Sequence, residues 1–197
     1  MRDARKFEAL LDRVLCGESP AAAEWEPFRD EMAVLITDLS GFTRLMRELG
    51  TGRMSALLLG MRRISLPLLA AHGGVLVKYQ ADDLFAAFRS PADALRCAVG
   101  LLRAFERPEP PLPAEVRLCM GIGFGSILWW GENDLYGEDV NLASKLGEDT
   151  AGPGEILLTA PAAVAARASL PAARLTARPP IEVGGRRYEY FRYDGGL

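Results

Sequence analysis

The sequence holds a single histidine, His72, and three cysteines, Cys16, Cys97 and Cys119. An odd, widely spaced set of thiols argues against a disulfide framework and fits a reducing compartment. With one imidazole, a zinc centre of the Cys/His kind is not expected either. Charge of one sign is also scarce: the formal net charge is −3, which leaves no basic footprint for nucleic acid. No apolar run reaches the length expected of a bilayer-spanning helix, and residues 1–13 are charged throughout, without the apolar core of a signal peptide. The expected setting is cytoplasmic, with neither membrane nor nucleic acid as partner. What is present is ordinary globular material: 197 residues, 49% hydrophobic and 25% charged, enough for one compact domain with a sizeable core.

One stretch stands apart, Ala33-Val-Leu-Ile-Thr-Asp38-Leu-Ser-Gly-Phe-Thr43. An apolar run of strand length, 33–37, ends abruptly on a carboxylate, and a helical pattern starts just beyond Gly41. A buried strand needs its apolar residues but not an acid at its tip. Free N–H groups at a helix start favour phosphate, and a carboxylate beside them can share a cation with that phosphate. The plainer reading is that Asp38 or Ser40 caps the helix.

Around this stretch the periodicity predicts helices over 3–16, 42–49 and 54–68, with breaks at Gly50 and Gly52 and a kink or break at Pro67. Residues 1–29 are expected to form an N-terminal helix and linker, and 30–197 a catalytic domain. Strands are predicted over 75–78 and 84–88, with 79–83 as the hairpin tip. Ser90-Pro91-Ala92-Asp93 starts a helix with a cap, a proline at the first position and an acid in the first turn. It ends in the proline-rich segment 108–113. Further strands are predicted over 116–122, 126–130 and 155–158, short helices over 138–146 and 161–167, and edge strands over 174–177 and 188–193. Hairpins beside crossovers predict an α+β fold: a mixed, mainly antiparallel sheet with helices packed against it.

Two further groups carry chemistry. Asp82 and Asp83 lie at the hairpin tip; because side chains alternate along a strand, at most one is expected to face Asp38. Carboxylates on adjacent strand ends suit one or two divalent, oxygen-preferring cations, Mg²⁺ or Mn²⁺. Asn141 and Lys145 are spaced i, i+4 on one helix face, an amide and a cation suited to an anionic ligand.

These stretches resemble the motifs of class III adenylate/guanylate cyclase catalytic domains. Thr37-Asp38-Leu-Ser-Gly-Phe-Thr43 resembles the first metal-aspartate motif, Gly73-Gly-Val-Leu-Val-Lys78-Tyr-Gln-Ala-Asp82 the second hairpin motif, and Asp134-Leu-Tyr-Gly…Val-Asn141-Leu-Ala-Ser-Lys145 the third. The resemblance spans residues 32–193 and implies a ferredoxin-like sheet with packed helices. It implies that Asp38 and Asp82 bind two metal ions, Mg²⁺ or Mn²⁺. The backbone at Leu39, Ser40, Gly41, Phe42 and Thr43 would receive the triphosphate. Lys78 and Asp134 would read adenine, Asn141 would orient the ribose, and Lys145 would contact phosphate in the transition state. It further implies ATP as substrate and cyclic AMP as product. Head-to-tail homodimers would carry two interfacial sites, Asp38 and Asp82 facing the other four residues across the interface. A degenerate domain that binds nucleotide or a partner without turnover is the alternative. An upstream regulator could act through the N-terminal helix.

The sequence departs from the family pattern at three positions. Lys145 stands where the family has arginine and lacks the planar fork that grips phosphate. Ala81 replaces the glycine before the second aspartate, which is tolerated unless that backbone needs a positive φ. Ser126 stands where some members have a basic phosphate contact; Arg186 and Arg187 are the basic residues available to replace it. Gly121-Ile-Gly-Phe-Gly125 lies between predicted strands and is not a dinucleotide fingerprint.

Overall fold

The structure, a computed structural model, describes residues 4–109, 111–112, 114–130 and 133–197. Asp3, Pro110 and Pro113, included in the predicted first helix and proline-rich segment, lie outside the described residues. The apolar run at 33–37 forms the middle of a longer strand, β1 (Arg29–Leu39), at the centre of the sheet. After α1 (Ala4–Leu15) and α2 (Ala22–Trp25), the chain runs through β1, α3 (Phe42–Ala71), β2 (Val75–Gln80), β3 (Asp83–Phe88) and α4 (Pro91–Glu106). It continues through β4 (Leu118–Trp130), β5 (Asp134–Tyr136), α5 (Glu138–Ser144), β6 (Ile156–Thr159), α6 (Ala160–Ser169), β7 (Leu175–Val183) and β8 (Arg186–Tyr193). The strand order is β2-β3-β1-β4-β6-β8-β7, with β5 paired to β4. Among the described residues, only β4 and β6 pair in parallel, so the sheet is mixed and mainly antiparallel.

Alternation along β1 divides the interior in two. Ala33, Leu35 and Leu39 join Met54, Leu57, Met61, Leu95, Leu101 and Ala162 in the larger core, beneath α3, α4 and α6. Val34 and Ile36 face the other way, into a smaller cluster with Val77, Phe85, Ala87, Val140 and Ala143, where α5 is the covering helix. Short α5 leaves the ends of this second face to polar groups, and the candidate site lies there.

Residues 118–130 form one strand rather than the two predicted. Gly121, Gly123 and Gly125, at the expected break between two strands, lie on a single face of β4, against α5. A Cβ on Gly121 would stand 2.0 Å from the Ala143 carbonyl oxygen, and one on Gly123 would stand 2.2 Å from that of Asp139. The glycines are there to let two backbones touch.

In α3, Gly50 (φ 69°, ψ 167°) breaks the helical conformation as predicted, but Gly52 and Pro67 do not. The helix continues past Pro67 to Ala71 because Ile64 and Leu69 anchor its last turns in the core. It contains an 18-residue stretch of mean hydropathy 1.3, long and apolar enough to cross a membrane by length and composition, contrary to the expectation that no such run exists. One face of the helix packs on the sheet, with Leu45, Met54, Leu57 and Met61 buried, while Leu59 and Leu66 are exposed.

At the other end of the sheet, β7 and β8 are longer than predicted, joined by Gly184 and Gly185 at positive φ. Pro179 and Pro180 fall where the β7–β8 register slips, on the sheet edge, where the lost N–H donors cost least. The N-terminal helix docks through Phe7 and Leu10 onto Phe28, Trp25 and Leu128.

Candidate active site

Three carboxylates meet at one end of β1. Asp38, Asp82 and Asp83 each offer an oxygen, and these atoms all lie within 4.8 Å of one another. The register explains two of them: Thr37 pairs with Leu84 and Ile36 with Phe85, so Asp38 and Asp83 continue the same antiparallel ladder, on the face of Ile36 and Phe85. Asp82 arrives by another route. It sits in the turn between β2 and β3, beside Ala81 at φ 53°, and its Oδ2 accepts the Leu39 N–H at 3.3 Å. The expectation that at most one of Asp82 and Asp83 could face Asp38 is therefore corrected. Strand alternation does not extend into a turn. Asp83, which the resemblance leaves out of the metal set, joins it, and its period-two spacing to Phe85 and Ala87 is the signal in the sequence.

All three acids are held above the usual carboxylate range. Burial raises Asp38. Burial, reinforced by the Asp38 charge, pushes Asp82 up to about 6. Burial and then the charges of Asp82, Glu148 and Asp38 push Asp83 up to about 7. Half-buried acids that repel one another are a poor arrangement for a cation-free protein and a good one for a hard divalent cation, whose charge removes the repulsion. The donor set is all carboxylate oxygen and thus fits magnesium or manganese chemistry rather than zinc or copper.

Next to the acids lies the start of α3. Gly41 is its N-cap at φ 77°, and no side chain caps it. The capping reading of Asp38 and Ser40 is thereby excluded. The N–H groups of Phe42 and Thr43 open the helix, where intrahelical partners are lacking. The Leu39 N–H is taken by Asp82, and the Ser40 N–H donates to the Arg117 carbonyl at 2.9 Å.

Lys78 and Asp134 meet directly, Nζ to Oδ1, at 2.8 Å. A β-bulge in β2 makes this possible. Leu76 pairs with Ala86 and Lys78 with Phe85, so Val77 is the extra residue and Lys78 is turned onto the Phe85 face. Its Nζ stands 4.9 Å from the centre of the Phe85 ring. Burial opposes ionisation of Asp134, but donors from Lys78, Tyr136 and the Leu135 amide outweigh it and hold its carboxyl below the usual range.

Asn141 is exposed on α5, and Lys145 begins the π-helical turn Lys145–Thr150 that continues it. Lys145 Nζ pairs with Asp149 Oδ2 at 2.9 Å. That π-helical turn presses on the sheet at Gly147, where a Cβ would lie 2.9 Å from the Gly121 nitrogen and 3.0 Å from the Ile36 carbonyl oxygen. Its Glu148 raises Asp38 and Asp83 electrostatically, so a fourth acid, unmarked by the sequence reading, lies near the trio. Arg186 stands 3.8 Å from Glu138 and is drawn toward α5.

No family profile matches the chain. It is 35% identical over 173 residues to an adenylate cyclase of Streptomyces coelicolor, an alignment covering 82% of this chain and 43% of that protein. Among solved structures, it resembles an adenylate/guanylate cyclase/hydrolase from Silicibacter pomeroyi at 27% identity and a TM-score of 0.71, covering 84% of this chain and 96% of that one. The adenylyl cyclase CyaB from P. aeruginosa superposes with a TM-score of 0.74 at 20% identity, covering 86% of this chain and 96% of that one. The chain spans less than half the length of the curated relatives it matches.

Proposed function

Because the chain belongs to the class III adenylate/guanylate cyclase catalytic domains, we propose that it converts ATP to 3′,5′-cyclic AMP and pyrophosphate as a cytoplasmic head-to-tail homodimer. The observation that carries this reading is the meeting of Asp38, Asp82 and Asp83 at the strand end that opens into the uncapped start of α3. Asp38 and Asp82, with Asp83 beside them, would hold two Mg²⁺ or Mn²⁺ ions. When bound, such ions supply positive charge to the ribose 3′ oxygen and to the departing pyrophosphate.

The chain's own groups do the rest. The amides of Phe42 and Thr43 receive the triphosphate at the helix start. Across the interface, Lys78 donates to an adenine ring nitrogen and Asp134 accepts from the exocyclic amine. A site built on such a polar pair rejects the wrong base, because its own groups would be left unpaired. Asn141 holds the ribose so that its 3′ oxygen lines up with the α-phosphate, and Lys145 leaves Asp149 to meet the charge that develops there. The 3′ hydroxyl gives its proton to solvent water as the 3′ O–P bond forms and the bond from the α-phosphorus to the oxygen of pyrophosphate breaks, and no side chain becomes a covalent intermediate. An upstream regulator acts through the N-terminal helix.

A second reading, a nucleotide-binding domain without turnover, is favoured by one observation: Lys145, where the family has arginine, is already paired with Asp149. Supplying the purified protein with ATP or GTP and Mn²⁺, and measuring cyclic nucleotide, separates the two. Cyclic AMP from ATP, exceeding cyclic GMP from GTP, is the expected result. Nucleotide binding with neither product overturns the enzyme reading.

A further inference from the structure

Asp134 is held by more than Lys78. Its Oδ1 accepts the Leu135 N–H at 3.0 Å and the Lys78 ammonium, and its Oδ2 accepts the Tyr136 hydroxyl at 3.0 Å. Tyr136 is in turn held from behind. Its ring centre lies 5.6 Å from that of Trp130, and Trp130 lies 5.7 Å edge-on from Phe7 of the N-terminal helix. Phe7 is 1% exposed and fixed by Phe28, 4.9 Å away. A run of ring contacts thus connects α1 to the carboxylate assigned to the base.

We propose that Tyr136 is a positioning residue for base selection: its phenol locks the Asp134 carboxylate, and Trp130 and Phe7 lock the phenol. The inference rests on the assignment of Asp134 to the purine. An aspartate free to rotate about its terminal torsion presents either edge. With donors on both oxygens the plane is set, while an ionised carboxylate keeps lone pairs to spare. Those lone pairs accept an amine, as adenine offers, and repel a carbonyl oxygen, as guanine offers. The Tyr136 hydroxyl touches Asp134 and not the base, so its loss weakens discrimination without removing a substrate contact. Through Trp130, the seating of Phe7 reaches the same carboxylate, which gives the N-terminal helix a physical connection to base selection.

The test uses 3′-deoxy-ATP and 3′-deoxy-GTP, which lack the attacking oxygen and report binding without turnover. Their Kd values are measured with Mn²⁺ on the full chain and on Tyr136→Phe, which keeps the ring against Trp130 and removes only the hydroxyl. The wild type is expected to prefer the adenine nucleotide. Tyr136→Phe is expected to weaken it about three- to tenfold, the span of one hydrogen bond, and to leave the guanine nucleotide within about twofold. Phe7→Ala should shift the ratio in the same direction by less. Equal loss for both nucleotides, or an unchanged ratio, overturns the inference, and so does a wild type with no adenine preference. Turnover of ATP is measured in parallel. A wild type that prefers adenine through Tyr136 but makes no cyclic AMP sinks the enzyme reading alone; an active wild type with an unmoved ratio sinks this inference alone.

Discussion

Lys78 Nζ and Asp134 Oδ1 stand 2.8 Å apart, although 56 residues separate them in the chain. The two groups assigned to adenine neutralise each other before any nucleotide arrives. Both are about one-third exposed, so the pair contributes at most about 1 kcal/mol to stability. Lys78→Ala should therefore leave the melting temperature nearly unchanged. It should lower kcat/KM for ATP about 10- to 100-fold, the effect of losing a charged hydrogen bond to the base. A large loss of stability with unchanged kcat/KM would show that the pair is structural.

The acid trio makes stability depend on pH with a definite sign. Asp82 and Asp83 have folded-state values raised to about 6 and about 7. An acid whose value is raised on folding stabilises the protein while protonated, and that contribution is lost as pH rises through the folded value. Without metal, the wild type should therefore lose stability relative to Asp83→Asn as pH rises from about 4, the ordinary carboxylate value, to about 7, and little beyond. Thermal unfolding of both proteins in a chelator checks this. Adding Mn²⁺ at pH 8 should raise the melting temperature of the wild type more than that of the variant.

Ala81 is the non-glycine residue at positive φ among those described, at 53°. A left-handed conformation costs an L-residue about 1–2 kcal/mol, and glycine gives back roughly half of that in unfolded-chain entropy. Ala81→Gly should stabilise the protein by about 0.5–1 kcal/mol, or roughly 1–4 °C. A lower melting temperature would mean that the alanine methyl makes a compensating contact.

Gly123 lies where β4 and α5 meet backbone to backbone. Gly123→Ala meets no flexible side chain, only the Asp139 carbonyl and the Ala143 methyl. The expected cost is about 2 kcal/mol or more in denaturant unfolding. Because α5 carries Asn141, cyclase activity should fall with it.

Lys145 should bring phosphate contact without geometric grip. Lys145→Arg is expected to raise kcat severalfold, since the guanidinium fork engages two oxygens at once. An unchanged or lower rate would show that this site is built around the ammonium. Lys145→Ala should lower kcat at least tenfold.

Much of this was legible in the sequence. The acid at the end of the 33–37 run, the Ser90-Pro91 helix start and the spacing of Asn141 and Lys145 are local signals. The structure has the strand, the Ser90 cap on the Ala92 N–H, and α5 leading into Lys145. What escaped depends on tertiary contact. The bulge that turns Lys78 toward Asp134 leaves no mark in Val75-Leu76-Val77. Gly123 and Gly125 separate two strands in sequence until a helix is known to lie on them. Asp149 and Glu148 look like solvated acids, although one holds Lys145 and the other raises the acid trio. The docking of Phe7 onto Trp130 joins segments that lie far apart in the chain.

In a head-to-tail homodimer, each site takes its metal side from one copy and its ribose side from the other. Asp38→Ala removes the metal side, and Asn141→Ala removes the ribose side. Each alone should be inactive. In a head-to-tail dimer of one variant with the other, one of the two sites carries both lesions and the other carries none. Mixing the two proteins in equal amounts should restore cyclic AMP synthesis from ATP to about a quarter of the wild-type rate, because half of the dimers are mixed and each has one intact site. A mixture as inactive as its components, while wild-type protein forms cyclic AMP, would contradict the shared site.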